Sequence, residues 1–238
     1  MRKPIAIGIA AALVAALAGV TPAQAHDSRN GDSDHRHGHD KAVLTVFNGI
    51  TDRTVDVYID GKLKFDDVEP GEFENSVKVR GGEHDLAVTR SNARNARHAI
   101  VKLYDADFDA GGNYTLAAHF DAHGDKTATL FENGTSSVKR YSGRLTVRHV
   151  AEARAVDVRA DGSTIISHLR NSEEAVETLW ADTYEVKVTK AGKKRTLIGP
   201  VDVEVERRTN TIVYAWGERG DLDLAIQMVD LDRRHHRW

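Results

Sequence analysis

The sequence predicts an all-β protein of two tandem antiparallel β-sandwich modules, which follow a cleaved signal peptide and a disordered, His-rich linker. Three observations predict this class. An apolar segment near the N-terminus has the form of an export signal. A set of short motifs occurs twice at one constant offset. Around these motifs, apolar and polar residues alternate with the period of a β-strand.

The first 25 residues predict a secretory signal peptide. Arg2 and Lys3 form a positive start, residues 5–20 are mostly apolar, and Ala23-Gln24-Ala25 places small residues at a cleavage site. We therefore expect cleavage after Ala25 and a secreted protein, either extracellular or associated with the cell wall. An uncut N-terminal anchor is the alternative. The apolar run is short for a membrane span, so no transmembrane span is expected in the mature protein.

Composition narrows the classes of partner. The 238 residues include no cysteine, so each module is expected to be held together by its own hydrophobic core rather than by disulfides. The formal net charge is −3, and removal of Arg2 and Lys3 with the signal makes it −5. This acidic balance argues against nucleic-acid binding, which requires a basic surface.

The internal repeat defines the domain boundaries. Its motifs share an offset of 101 residues. They are Leu44-Thr45-Val46 with Leu145-Thr146-Val147, Val55-Asp56-Val57 with Val156-Asp157-Val158, and Asp60-Gly61 with Asp161-Gly162. A weaker likeness aligns Thr115 with Thr211. We predict modules at residues 42–133 and 143–231, with residues 26–41 as the linker and residues 232–238 as a basic tail.

Each module is predicted to consist of short strands. Val55, Val57 and Ile59 alternate with polar neighbours, and Asp60-Gly61 then favours a tight hairpin turn. The repeated carboxylates Asp56 and Asp157 are expected on the solvent side of their strands, holding a nearby loop. The predicted strands cover residues 44–46, 54–59, 62–65, 76–79, 84–88, 99–103, 114–120 and 127–131, then 145–149, 156–160, 164–167, 184–189, 201–205, 211–216 and 222–228.

These motifs resemble the bacterial domain-of-unknown-function family 4397. The resemblance lies in an early strand, a Val-Asp-Val-Tyr strand that ends in Asp60-Gly61, the Pro70-Gly71 turn, and a later strand that opens with Tyr114-Thr115. It covers residues 42 to about 131 well and residues 143 to about 229 loosely. In the second copy the Pro-Gly turn is replaced around residues 171–174. The resemblance implies an exported or surface-attached protein with repeated β-sandwich modules, and it implies no catalytic residues.

Two basic segments are candidate anion-binding sites. Each follows a strand that ends in Val-Thr, so the two segments are expected at equivalent hairpin tips. Cationic tips on an acidic body suit an anionic cell-wall polymer or another surface component. The alternative is that the charges only keep strand edges soluble. The residues are Arg90, Arg94 and Arg97 in the first copy and Lys190, Lys193, Lys194 and Arg195 in the second.

The His-rich linker is a candidate metal site. After cleavage, His26 would supply an α-amino group and an imidazole, and His35, His37 and His39 would add neutral imidazoles suited to Cu, Zn or Ni. The alternative is a solvated tail without a ligand. Apart from this possible metal, the sequence indicates no cofactor.

Two tryptophans occur in only one copy. Aromatic rings can stack on sugars, and Trp180, which precedes a turn, is the better exposed candidate, whereas Trp216 lies on an apolar strand and is expected in a core. No nucleophile elbow, phosphate loop or zinc-hydrolase motif occurs. We therefore predict a secreted, non-enzymatic binding or surface-associated protein. The alternatives are an exported metal-binding protein and a hydrolase with an unrecognised site.

Overall fold

A computed structural model describes residues 41–232, and this region is built almost entirely of β-strands. Sixteen strands and one 3₁₀ turn, Ala96–His98, occur in the described residues. In the first half the strands are β1 Lys41–Asn48, β2 Val55–Ile59, β3 Lys62–Val68, β4 Phe73–Arg80, β5 Gly82–Arg90, β6 Val101–Phe108, β7 Asn113–Phe120 and β8 Lys126–Glu132. In the second half they are β9 Ser142–His149, β10 Val156–Ala160, β11 Ser163–Leu169, β12 Glu174–Trp180, β13 Asp182–Lys190, β14 Thr196–Val205, β15 Thr209–Glu218 and β16 Asp221–Asp230.

The strands form four sheets, and the second pair of sheets repeats the topology of the first. Sheet A has the order β4-β1-β7-β8 and sheet B the order β3-β2-β5-β6. Sheet C (β12-β9-β15-β16) and sheet D (β11-β10-β13-β14) follow the same plan. The predicted all-β fold of antiparallel sandwich modules is confirmed, with one addition. The β1–β7 and β9–β15 pairs at the centres of sheets A and C are parallel.

Each sandwich has its own apolar core. In the first, residues such as Leu44, Val57 and Leu116 are fully buried between sheets A and B. In the second, Leu145, Val158 and Val213 belong to the corresponding cluster between sheets C and D. Along these strands every second residue faces the core of its own sandwich, as the sequence predicts. Strands β2, β7, β10 and β15 are buried on the second face as well.

A third core joins the two sandwiches. Phe47 and Phe73 of sheet A pack against Tyr214 and Trp216 of sheet C, and the ring centroids of Phe47 and Tyr214 are 4.9 Å apart. The central parts of the outer faces of sheets A and C therefore cover one another. The expectation that each module relies on its own core is incomplete, because a substantial apolar interface is shared.

Features that occur in only one module meet at this interface. The Pro70-Gly71 turn of the first module lies against Trp216 of the second, and a Cβ at Gly71 would be 2.7 Å from the Trp216 ring. Where the second module lacks the Pro-Gly turn, the Asn171 side chain donates hydrogen bonds to the carbonyls of Phe120 (3.0 Å) and Ala151 (2.7 Å). Departures from the repeat are therefore explained here by contact between the modules.

Replacing Gly71 by alanine is expected to reduce stability more than the same change at Gly61. Both glycines have positive φ, +80° and +72°, but nothing lies within 4 Å of a Cβ at Gly61. The backbone strain is about 1 kcal/mol at either site, and overpacking against Trp216 adds about 1–3 kcal/mol at Gly71 only. Urea unfolding of G71A and G61A measures the difference. Equal losses would contradict the close Gly71–Trp216 contact.

Two details of the predicted pattern are wrong. Asp56 and Asp157 are buried rather than exposed, because β2 and β10 are covered on both faces. Their carboxylates do hold loops: Asp56 accepts from the Asp67 amide at 3.0 Å, and Asp157 accepts from the His168 amide at 2.8 Å.

The second detail is the alignment of β7 with β15. Leu44 pairs with Tyr114 and its counterpart Leu145 pairs with Thr211, so the equivalent of Thr211 is Tyr114 rather than Thr115. A slip of one residue reverses the face on which a side chain lies. Thr115 accordingly faces the second module, whereas the Thr211 hydroxyl donates to the carbonyl of Glu204.

Candidate functional site

A groove opens between the segment that connects the two sandwiches and β12, an edge strand of sheet C. Its cavity has a volume of about 410 Å³, within the range of small-molecule sites. The lining combines hydroxyl groups, two cations and one large aromatic ring. It consists of Ser137, Val138, Lys139, Ser142, Arg144, Thr178 and Trp180. No carboxylate is among the described residues of this lining.

Trp180 projects from β12 into solvent beside the groove. Along this strand Val176, Thr178 and Trp180 are exposed, whereas Ala175 and Leu179 pack against the second core. β12 is the outermost strand of its sheet, so this side has no neighbouring strand to cover it. Trp180 is 63% exposed, which is unusual for so large an apolar group.

The backbone around Trp180 is fixed on both sides. Trp180 pairs with Ser142 of β9, and the amide of Ala181 donates to the carbonyl of Tyr141 at 3.0 Å. The hydroxyl of Tyr184 donates to the carbonyl of Trp180 at 2.9 Å. The ring is therefore presented from a paired strand rather than from a loose loop.

The opposite wall of the groove is held by Arg144. Its guanidinium donates to the carbonyls of Gly134 (2.6 Å) and Ser136 (3.1 Å) and to the Ser136 hydroxyl (2.8 Å). Asn210 adds a bond to the Gly134 carbonyl at 3.2 Å. Burial lowers the pKa of Arg144 from its ordinary value. The connecting segment thus has a defined path over sheet C.

A second exposed aromatic residue lies beside the groove. Tyr141 is 47% exposed and follows the lining residue Lys139 by two positions. The guanidinium groups of Arg140 and Arg207 lie 5.3 Å and 5.2 Å from the centre of its ring. This end of the second sandwich therefore presents aromatic rings and cations together.

The basic segments predicted as anion sites occupy equivalent connections, between β5 and β6 and between β13 and β14. All seven side chains are exposed: Arg90, Arg94, Arg97, Lys190, Lys193, Lys194 and Arg195. The two sets lie on sheets B and D, not at the Trp180 groove, so the structure does not bring the predicted cations and the predicted aromatic residue together at one cavity.

The predicted metal ligands His26, His35, His37 and His39 lie outside the described residues, and so does the predicted signal peptide. Within residues 41–232, the carboxylates of Asp56, Asp66 and Asp67 come within 4.8 Å of one another. Asp56 already accepts backbone hydrogen bonds, and its burial together with the two neighbouring charges raises its pKa. This cluster is explained by its role in the β3 hairpin.

Sequence reasoning identified Trp180 as an exposed aromatic residue but missed the strand that carries it. β12 alternates in exposure, yet both of its faces include polar side chains, so no apolar stripe marks it. The repeat offered a signal that would have found β12. A strand was predicted at residues 76–79 in the first module, and β12 is the counterpart of that strand, β4, in the repeated topology.

The fold and the groove define the class: an all-β protein of two paired sandwiches with an open surface groove. Comparison of sequences identifies the family of its first sandwich. Residues 42–159 match a domain of unknown function, DUF4397, and this part of the chain belongs to that family. The match spans the whole first sandwich and continues through β9 and most of β10.

Other comparisons are less informative. No curated protein matches the chain. One similar solved structure is CBMbc (family CBM26) of Amy13K from Eubacterium rectale, in complex with maltoheptaose, at 11% identity and a TM-score of 0.24. It covers 81% of this chain and 98% of that chain. A similarity at this level identifies neither a site nor a ligand here. No helix within residues 41–232 has the length and apolar character needed to cross a membrane.

Proposed function

We propose that the protein is a non-enzymatic binding protein that acts outside the cytoplasm and holds a saccharide in the Trp180 groove. The observation that carries this proposal is the exposed Trp180 ring beside a cavity of ligand size. The export signal expected from the first 25 residues supports the location. The chain is then a receptor that attaches to a polymer of the cell exterior.

The chemistry of the groove suits a sugar. A sugar ring has an apolar face of C–H groups, which packs well on a tryptophan ring, and hydroxyl groups at its rim that require hydrogen-bond partners. Thr178 and Ser142 offer hydroxyl groups near Trp180, and Lys139 offers a flexible donor. A fixed strand behind the ring limits the entropy lost on binding.

A hydrolytic function is less well supported at this place. Hydrolysis of a glycosidic bond commonly requires two carboxyl groups on either side of the bond. The described lining offers hydroxyl groups, cations and an indole instead. The geometry therefore favours retention of the ligand over cleavage.

Replacing Trp180 by alanine is expected to weaken saccharide binding on the order of 30-fold or more, because loss of a central aromatic contact costs about 2 kcal/mol. Affinity electrophoresis in gels containing dextran, amylose, xylan or polygalacturonate measures the effect. Tyr104→Ala is the matched control, since Tyr104 is 65% exposed on β6 of the first sandwich. Binding that survives W180A, or is lost equally in Y104A, would contradict the proposed site.

A metal-binding role for the His-rich linker is a separate prediction. We expect the protein that begins at His26 to bind Cu(II) or Zn(II) more tightly than a chain that begins at Lys41. Isothermal titration of both proteins with Cu(II) or Zn(II) shows whether the linker histidines bind the metal or form only a solvated tail. Equal affinities would remove His26, His35, His37 and His39 from consideration.

A further inference from the structure

We infer that the Trp180 groove selects an anionic saccharide, one whose sugar rings bear carboxylate or phosphate groups. This inference rests on the proposed function and specifies its ligand class. The observation that carries it is a set of cations without acidic partners around the groove of an otherwise acidic protein.

The cations lie in the connecting segment, at the start of β9 and in the turn before β15. Lys139 and Arg144 line the cavity, and Arg140 and Arg207 lie on the ring of Tyr141. Arg208 is next to Arg207, and its amide donates to the carbonyl of Ser142, which itself lines the groove. Sequence and packing thus place five positive charges at one end of the second sandwich.

These cations lack carboxylate partners in the described part of the chain. Ion pairs within 4.0 Å occur elsewhere, for example between Lys126 and Asp52 and between Arg219 and Glu152. Glu177 adjoins the lining residue Thr178, and Asp182 lies two positions beyond Trp180. Glu206 precedes Arg207. None of these three carboxylates forms an ion pair within 4.0 Å with a cation of this group in the described residues. Cations that are not neutralised within the protein produce a positive potential, which attracts an anionic ligand.

The cations at this site also differ from ordinary exposed charges, because two of them pack on an aromatic ring. The guanidinium groups of Arg140 and Arg207 are held over an aromatic ring, so they are partly ordered before a ligand arrives. The Trp180 ring nearby provides a stacking surface. An anionic sugar polymer can use both at once, with a ring on Trp180 and its charged substituents on the cations.

The test compares polygalacturonate with its methyl ester, which keeps the same sugar backbone without the charge. We expect wild-type protein to bind polygalacturonate at least about tenfold more tightly at low salt, since several exposed charge contacts contribute together. The preference should decline as salt is added. Competition by glucuronate and by glucose 6-phosphate, each compared with glucose, distinguishes carboxylate from phosphate recognition.

Two triple variants locate the effect. R140Q/R207Q/R208Q removes three charges beside the groove and leaves the lining residue Lys139 in place, and K193Q/K194Q/R195Q removes three at the β13–β14 tip, so net charge is matched. All six side chains are exposed, so both proteins are expected to fold. We expect only the groove variant to lose the preference for polygalacturonate while keeping Trp180-dependent binding of the ester.

Other outcomes separate the two proposals. Equal, Trp180-dependent binding of both polymers would overturn the charge selection and leave the proposed function intact. Loss of the preference in the tip variant alone would overturn the inference in favour of the hairpin tips. Binding that does not depend on Trp180 would overturn both proposals.

Discussion

Replacing Arg148 by alanine is expected to lower the free energy of unfolding by about 2–5 kcal/mol, because it opens a cavity in the interface and leaves buried polar groups with one partner fewer. Arg148 is completely buried between the two sandwiches. Its guanidinium donates to Glu174 (2.9 Å), to the side chain of Asn133 (2.8 Å) and to the Tyr214 hydroxyl, and it lies 4.4 Å from the centre of the Phe131 ring.

Removal of this side chain leaves both a cavity and polar groups without their partner. Tyr214 and Asn133 are buried, so water does not readily replace the guanidinium as their partner. Arg148 occupies the position that Phe47 has in the first module, which makes it part of the interface that joins the repeats.

Arg170→Ala is the matched control for Arg148→Ala. The side chain of Arg170 is 79% exposed and pairs with Glu173 only at 3.9 Å, so we expect a loss below about 0.5 kcal/mol. Chemical denaturation of both variants gives the comparison. A loss below 1 kcal/mol in R148A would show that the two sandwiches do not depend on this buried network.

The second large effect is a loss of stability in acid, caused by the buried imidazole of His119. One ring nitrogen lies 2.8 Å from the carbonyl of Phe120 and the other 2.9 Å from the Thr129 hydroxyl. Burial lowers the pKa of His119 to about 4. The hydrogen bond to the Phe120 carbonyl and the charge of Asp121 oppose this shift, whereas His149 acts in the same direction as burial. The ordinary value of 6.5 applies in the unfolded chain.

The sign of the pH effect follows from these two pKa values. Between pH 6.5 and about 4 the unfolded state takes up a proton that the folded state excludes, so stability decreases as the pH falls through this range. The difference in pKa corresponds to roughly 3 kcal/mol at its full extent. Burial also lowers the pKa of His149, so that residue contributes in the same direction.

Unfolding measured from pH 7 to pH 4 tests this prediction. His119→Gln is expected to reduce the dependence on pH relative to wild type, whatever its stability at pH 7. His123→Gln is the control, because the side chain of His123 is 85% exposed, and it should leave the curve unchanged. Parallel curves for H119Q and wild type would exclude His119 as the source.

Much of the fold follows from local pattern. Val55, Val57 and Ile59 alternate correctly, and Asp60 and Gly61 adopt the positive φ values that a tight hairpin requires. The same reasoning places Asp56 on a solvent face, and it fails there because the burial of β2 on its second face depends on loops that the strand pattern does not include.

The pattern of residues along single strands does not predict the contacts between modules. Arg148 and Tyr214 lie on the outer face of sheet C, where alternation predicts solvent exposure, and only the packing of sheet A over them shows why they are buried. The sequence does not predict the groove for a similar reason. Trp180 was identified by type, but the cations beside it come from the connecting segment and from Arg207, which are distant in sequence.

The most direct test of the proposed function is a nitrogen-15 NMR titration that follows the tryptophan indole signals, assigned with Trp180→Phe and Trp216→Phe. Addition of oligogalacturonate is expected to shift the Trp180 indole signal while the Trp216 signal stays in place. Binding that leaves the Trp180 signal unmoved would contradict the assignment of the ligand to this groove.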